Sequence, residues 1–597
     1  MTRPRSEIDD RYLWDPTAVY ETPDDFDREL ETARELVRRV RDALDAPPDD
    51  AERVSTTLER FERLGAARTR LVLYAEMGRT MDLTDDDARE RRDRVRALEG
   101  DVEAVATSLR RWVREHDRRF ETLRAESGAH SPFDRLLENA AGAPAADPAL
   151  TDLLADFGDV LDATDRILVA ICDEDFEPPT VEGPDGDPVE VAWYGRSRLL
   201  KHPDRAYRRR VYETFHDALA ERRGAIATAW IEKLRSRARL AEARGYDSIR
   251  ELSLGKPSYP ETGIHLELPT AVHDALCEHV SASLDPYHRL QRIRRDRLGL
   301  DELRPWDRLV PLADAPAPEI AYEDAWDHLL AAVEPLGADY RDRLATLRAE
   351  RRVDAFPAEN AREVTYCLSA SDRGAFVSAS YDGTVRTAFH LAHELGHAME
   401  TELRGDVRRP LYETTPRPAE EVPSVVHELL LADHLLDGGD DALRAHVRDR
   451  LLTMLGGNLF GAARSARFVR TACRAVEAGE SLSADRLDAI NEDLLAAFQP
   501  HVAGEERWAA SWLARAHVRD PYHHYQYALG AVGAVAATDA LADGALPVDD
   551  YRSFLEFGGT EPSLAQFEHL GIDPTSPAPY RRAADRFDAV LEEIESD

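Results

Sequence analysis

Apolar residues return at three- and four-residue intervals along most of this chain. The stretches 24–45, 87–123, 205–244, 323–348 and 576–595 carry that spacing and are rich in Ala, Leu, Arg and Glu, so each is expected to form an amphipathic helix. Clusters of Pro, Gly and Asp interrupt the pattern at 143–148, 178–188, 256–269 and 311–318 and read as loops. The break at 178–188 is the best candidate for a domain boundary. It divides an N-terminal helical domain, 1–185, from a larger domain, 186–597, that carries the candidate chemistry. One region departs from the helical period. In 363–381, β-branched and aromatic residues mix with Ser and Gly around Asp372-Arg373-Gly374, which predicts a small β-hairpin. Such a hairpin either pairs with an extended peptide by strand addition or is purely structural. No internal repeat or low-complexity tract is present.

Length and charge narrow the picture. A chain of 597 residues exceeds one hydrophobic core, and about 100–200 residues per domain implies two to four structural units. No apolar run approaches the roughly 20 residues that cross a bilayer. The N-terminus, MTRPRSEIDDRYLWDP, has charges but no apolar core of a secretory signal, so a cytoplasmic location is expected. The four cysteines, Cys172, Cys277, Cys367 and Cys473, are far apart and form no CxxC pair; they are expected to be inert thiols, not a disulfide framework or a cysteine–zinc site. A net charge of −38 argues against a nucleic-acid partner, which needs a basic footprint. Lysine occurs only at Lys201, Lys233 and Lys256. An acidic, lysine-poor surface resembles that of proteins from salt-loving organisms. In molar salt the Debye length falls to about 3 Å, so self-repulsion is tolerable.

The candidate chemistry lies in 385–402, VRTAFHLAHELGHAMETE, which contains His393-Glu394-Leu395-Gly396-His397, an H-E-x-x-H. On a helix, positions i and i+4 share a face, so both imidazoles can reach one zinc ion. Glu394 sits beside the metal without binding it, placed to take a proton from water. His390, one turn earlier on a neighbouring face, reads as a supporting or packing residue. A catalytic zinc usually takes a third protein ligand. Residues 415–434, TPRPAEEVPSVVHELLLADH, form another helical pattern, and offer Glu420, Glu421 and Glu428; spacing does not choose among them. Glu428 is also a candidate to hold the second nitrogen of a zinc-bound imidazole.

These segments together resemble the thimet oligopeptidase superfamily, most closely its oligoendopeptidase F branch. There the H-E-x-x-H helix is followed, about 24 residues after its second His, by a Glu in an E-V-x-S pattern; here that pattern is Glu421-Val422-Pro423-Ser424. The resemblance therefore implies Glu421 as the third ligand, with Pro423 a departure that fits near a helix start. Arg373-Gly374-Ala375-Phe376 is similar to the segment before the family's zinc helix, which implies a substrate contact at Gly374. His517 to Ala528, HVRDPYHHYQYA, is similar to the family's C-terminal His and tyrosine-rich stretch. This implies His517 and Tyr525 as donors to the oxyanion, and Tyr522 and Tyr527 as helpers or peptide-binding residues. His523 stands where family members often carry Tyr. The closing segment 551–573 and the opening Leu13-Trp14-Asp15 are also similar, so the likeness spans nearly the whole chain. It implies a mostly α-helical, two-part ellipsoid split by a deep substrate channel, with the small β-hairpin beside the zinc helix and one zinc ion per chain at the channel floor. The implied activity is endopeptidase cleavage of short unstructured oligopeptides. The sequence gives no reading of oligomeric state.

Two other readings remain at this stage. A helical zinc carboxypeptidase also carries H-E-x-G-H, and needs a basic residue near the zinc to hold the free carboxylate. A peptide-binding scaffold that keeps the fold is the non-enzyme reading; against it, Glu394 and the ligand candidates are all present.

Overall fold

The computed structural model describes residues 3–120, 122, 133–134, 136–137, 163–193, 195–254, 268–314, 316–370, 372–405, 409–515 and 520–596. Helices dominate it, as the periodicity predicts. The first three, α1 (Pro23–Leu44), α2 (Ala51–Met81) and α3 (Asp86–Glu115), pack on one another. The acid-rich composition helps start them. Thr22 and Asp25 form a capping box on α1, and Asp50 and Asp85 accept backbone N–H groups at the starts of α2 and α3. Each such cap satisfies donors that the first turn leaves unpaired and places negative charge at the positive end of the helix. The three helices share a core that includes Phe26, Leu30, Leu58, Phe61, Val95, Leu98 and Trp112. A second, larger core draws on residues from Leu168 to Ile594.

Three expected helices are interrupted: 87–123 stops at Glu115 and turns at His116, and two others are each broken in two. The stretch 205–244 forms Arg205–Ala220 and Arg223–Ala243, and Arg222 Nη1 donates to the Ala218 carbonyl at the break. The stretch 323–348 forms α4 (Tyr322–Ala332) and α5 (Ala338–Ala349). Between them Pro335 lacks a donor and Gly337 sits at φ +99°, which an interior α-helix cannot accommodate. The break at 178–188, expected as a loop, instead holds a short antiparallel hairpin of β1 (Thr180–Glu182) and β2 (Pro188–Glu190). Its proline opens β2, where a missing N–H is tolerated.

The hairpin expected in 363–381 forms as β4 (Tyr366–Ala370) and β5 (Gly374–Ser378), with Leu368 opposite Phe376. A third strand, β3 (Val353–Asp354), runs parallel to β5, giving the order β3-β5-β4 with β4 at the edge. Two residues were too few to show a strand period in the sequence. The sheet packs on α6 (Val385–Gly405). Thr384 caps α6, its Oγ1 accepting the Thr387 N–H at 3.2 Å. One apolar stripe, Phe389, Leu391, Ala392, Leu395, Ala398 and Met399, is fully buried.

Helix α6 crosses α7 (Arg417–Gly438), which crosses α9 (Tyr525–Ala542) on its other side. Both crossings are made at glycines. A Cβ on Gly396 would lie 2.5 Å from the Pro423 carbonyl oxygen and from Ser424 Cα, and one on Gly530 would collide with Glu421. Pro423 was expected near a helix start. The helix begins at Arg417, so Pro423 falls in its second turn, where the lost N–H removes an interior hydrogen bond. Its carbonyl forms the contact with Gly396. Among the described residues, no helix is long and apolar enough to cross a membrane.

Candidate metal centre

The i, i+4 spacing on α6 puts His393 and His397 on one face, with ring centroids 5.0 Å apart and planes at 82°. Helix α7 brings Glu421 against them. One donor atom from each of His393, His397 and Glu421 lies within 4.8 Å of the others, and among the described residues these three are the group able to hold a metal ion. The His393 Nε2 to Glu421 Oε2 separation is 3.7 Å. Bonds of about 2.0–2.2 Å in tetrahedral array hold donors roughly 3.3 Å apart, so small side-chain rotations close the set. Two imidazoles and a carboxylate are a donor set that suits zinc.

The electrostatics also fit a cation. Burial pushes the Glu421 carboxyl up to about 7; the His393 charge opposes this, and Glu420, Glu394 and Glu428 reinforce it. Burial likewise raises Glu394, opposed by His393 and by the Cys367 backbone N–H on β4, which faces its carboxylate. Burial disfavours the charged His393 ring, but its hydrogen bond to Glu428 and the charges of Glu428, Glu394 and Glu421 outweigh it and hold the ring up at about 9. His397 is driven well below the usual imidazole range by burial and by His393. Carboxylates thus crowd a partly desolvated space and raise one another's proton affinity, and a divalent ion at the donors relieves that crowding.

Behind the donors stands a second layer. His393 Nδ1 lies 2.9 Å from Glu428 Oε1, the carboxylate–imidazole arrangement that fixes which ring nitrogen faces a metal. Arg450, on α8 (Asp441–Leu455), donates to the other oxygen of Glu428 at 2.5 Å and lies over the Phe389 ring. Glu428 is 2% exposed, yet its carboxyl is held below its usual value; burial opposes this, and Arg450 and His393 outweigh it. His390 lies outside the donor set, with burial and then Arg450 and Arg386 pushing it down to about 3. No sequence spacing pointed to Arg450, since it reaches Glu428 from a separate helix.

The C-terminal tyrosines divide. Burial and then the charge of Glu421 push the Tyr527 hydroxyl up, with Arg417 opposing, and that hydroxyl lies 3.2 Å from His523 Nε2. Tyr522 and Tyr525 instead pack edge-on to the buried His273, with centroids at 5.1 and 5.7 Å. Tyr522 holds a left-handed backbone at φ +65°. His517 lies outside the described residues. Gly374, at φ +76°, opens β5 where a Cβ would strike Arg352 and Glu402, which pair with each other at 2.8 Å. That packing accounts for a glycine there without a substrate. Of the four free cysteines, Cys172, Cys277 and Cys473 are buried, whereas Cys367 is half-buried.

Two imidazoles one helical turn apart, a carboxylate from a crossing helix and an adjacent glutamate outside the donor set define a metallopeptidase site on a helical fold. The chain belongs to peptidase family M3, whose family model matches residues 198–586, and it falls in the oligoendopeptidase F branch. Oligopeptidase PepF of Bacillus subtilis is 25% identical over 446 residues, covering 74% of this chain and 65% of that protein, just under two thirds of its length. An oligoendopeptidase F homolog of Lactococcus lactis subsp. lactis is 23% identical over 612 residues, covering 100% of this chain and 98% of that protein. Among solved structures, one from Chlamydophila abortus superposes with a TM-score of 0.86 at 20% identity over all of both chains. Oligoendopeptidase-F from Enterococcus faecium superposes with a TM-score of 0.73 at 20% identity, covering 96% of this chain and 98% of that one.

Proposed function

We propose that this protein is a zinc-dependent endopeptidase that hydrolyses internal bonds of short unstructured oligopeptides in the cytosol. The observation that carries the reading is the convergence of His393, His397 and Glu421 with Glu394 beside them. His393, His397 and Glu421 would hold one zinc ion, which when bound supplies a Lewis acid for the scissile carbonyl and lowers the pKa of water.

The chain's own residues do the rest. Glu394 accepts a proton from the attacking water and returns one to the leaving amine; its raised proton affinity brings it nearer the range suited to both transfers. Glu428 orients His393, and Arg450 keeps Glu428 ionised. Tyr527, whose hydroxyl is influenced by Glu421 after burial, is the proposed donor to the oxyanion, with His517 by resemblance. Tyr525, implied by resemblance for the same role, packs against His273 and would have to turn to reach it. A donor of that kind is worth roughly 10²–10³ in rate. The β4 edge, whose Cys367 N–H faces Glu394, supports docking of an extended peptide by strand addition. A channel that admits unfolded segments and excludes folded proteins would set the length limit.

The test uses the purified protein in molar KCl with a mixed set of short unstructured peptides, and reads the products by mass spectrometry. Internal cuts are expected. They should be lost on chelation, restored by zinc, and reduced roughly 10²–10⁴-fold in Glu394→Gln with zinc content unchanged. Stepwise loss from the C-terminus would replace this reading with a carboxypeptidase. An absence of cleavage by the folded, zinc-loaded protein would leave a peptide-binding role.

A further inference from the structure

Far from the catalytic donors, two histidines from different helices meet. His328 on α4 and His434 on α7 bring Nδ1 and Nε2 to 3.1 Å, with ring centroids 5.3 Å apart and planes at 56°. Helices α4 and α7 pack directly on each other, so the backbone fixes this meeting. Both residues are only half-buried, which leaves solvent access to the pair. His434 lies thirteen residues beyond Glu421 on the same helix, roughly 20 Å at 1.5 Å per residue. The pair is therefore separate from the His393–His397–Glu421 centre.

We propose that His328 and His434 form a second metal site, which clips α4 to α7 and takes a nitrogen-seeking first-row transition ion, Cu2+ or Ni2+ in preference to Zn2+. Ligand bonds of about 2.0–2.1 Å to two nitrogens 3.1 Å apart subtend roughly 95–100° at the ion. That lies between the 90° of adjacent tetragonal or octahedral ligands and the tetrahedral angle, and for divalent first-row ions at a nitrogen site affinity rises to nickel and copper and falls again at zinc. The two nitrogens share a hydrogen bond, so binding releases or relocates its proton, and rotation about the soft terminal torsion of each ring then directs both lone pairs to one point. Burial and then His328 hold His434 below the usual imidazole range, with the charge of Asp437, one turn further along α7, opposing them. Asp433 is engaged by Arg586. Water fills what remains. The proposal is independent of the peptidase reading and stands or falls without it.

The test is equilibrium dialysis of the full chain against Ni2+ alone in molar KCl, with metal counted per chain. The wild type should hold two equivalents. His328→Asn and His434→Gln should each lose one of them, and Glu421→Gln should keep the second-site equivalent. Equal stoichiometry in the wild type and both histidine variants overturns the proposal. Should either variant fold poorly, amide hydrogen exchange on the wild type decides: Ni2+ should slow exchange in α4 and in the C-terminal half of α7, and unchanged exchange in both segments overturns the site.

Discussion

At the scale of single residues, the pair Glu428 and Arg450 governs the centre as much as the donors do. A buried carboxylate that binds His393 on one oxygen and a guanidinium on the other fixes both the tautomer and the tilt of the imidazole. Glu428→Gln keeps the shape but removes the charge. Zinc affinity, measured by competition with a chelator, is expected to fall roughly 10–100-fold, and an unchanged affinity would show that Glu428 only fills space. The mutant should also be less stable, because Arg450 loses its buried counter-charge. The sequence made His393, Glu394 and His397 legible because i, i+4 spacing encodes a shared helix face. It left Glu421 among three acids, since choosing one requires knowing where the crossing helix begins. Arg450 and Cys367 were invisible for the same kind of reason: tertiary packing delivers them from elements that share no period with the motif. Which of Tyr525 and Tyr527 lies toward Glu421 depends on the phase of α9, which the sequence spacing does not set.

At the scale of elements, the crossing of α6 and α7 at Gly396 sets the separation of the imidazoles from Glu421. The contact leaves no room for a methyl group, and the atoms it would meet are backbone. Gly396→Ala must therefore push the helices apart. A loss of about 1–3 kcal/mol is expected from overpacking, read as a lower denaturation midpoint, together with weaker zinc binding that tracks the displaced Glu421. If Gly396→Ala binds zinc as tightly as the wild type, the crossing does not determine the donor spacing. The same scale shows where periodicity misled. It joined α4 and α5 into one helix and missed that Glu334-Pro335-Leu336-Gly337 ends the first of them. It took 178–188 as loop because Pro, Gly and Asp mask three-residue strands. Long amphipathic helices announce themselves over several turns, whereas strands of two or three residues span too little chain to show a period.

At the scale of the whole molecule, charge dominates. The chain has 115 acidic and 77 basic side chains, so even if every basic group met an acid, 38 acids would remain (115 minus 77). Many arginines are committed to local pairs, as at Glu35, whose carboxylate faces Arg38 and Arg39 at 2.6 and 2.7 Å. Exposed pairs of this kind contribute little, whereas the uncompensated excess repels over a Debye length of about 10 Å at 0.1 M salt. Melting temperature should therefore rise steadily as KCl is raised from about 0.1 to several molar. A flat or falling curve would mean that salt costs more through screened pairs than it gains through screened repulsion.

The backbone contact at Gly396 has a consequence for the protein's life history. Because the two donor-bearing helices are locked by main-chain packing, their spacing is set when the chain folds and waits on no ion. The fold is then expected to form ahead of the metal, so that chelated protein keeps the far-UV circular dichroism of the loaded form and recovers zinc without refolding. The timing of activation would then follow metal supply, with translation already complete.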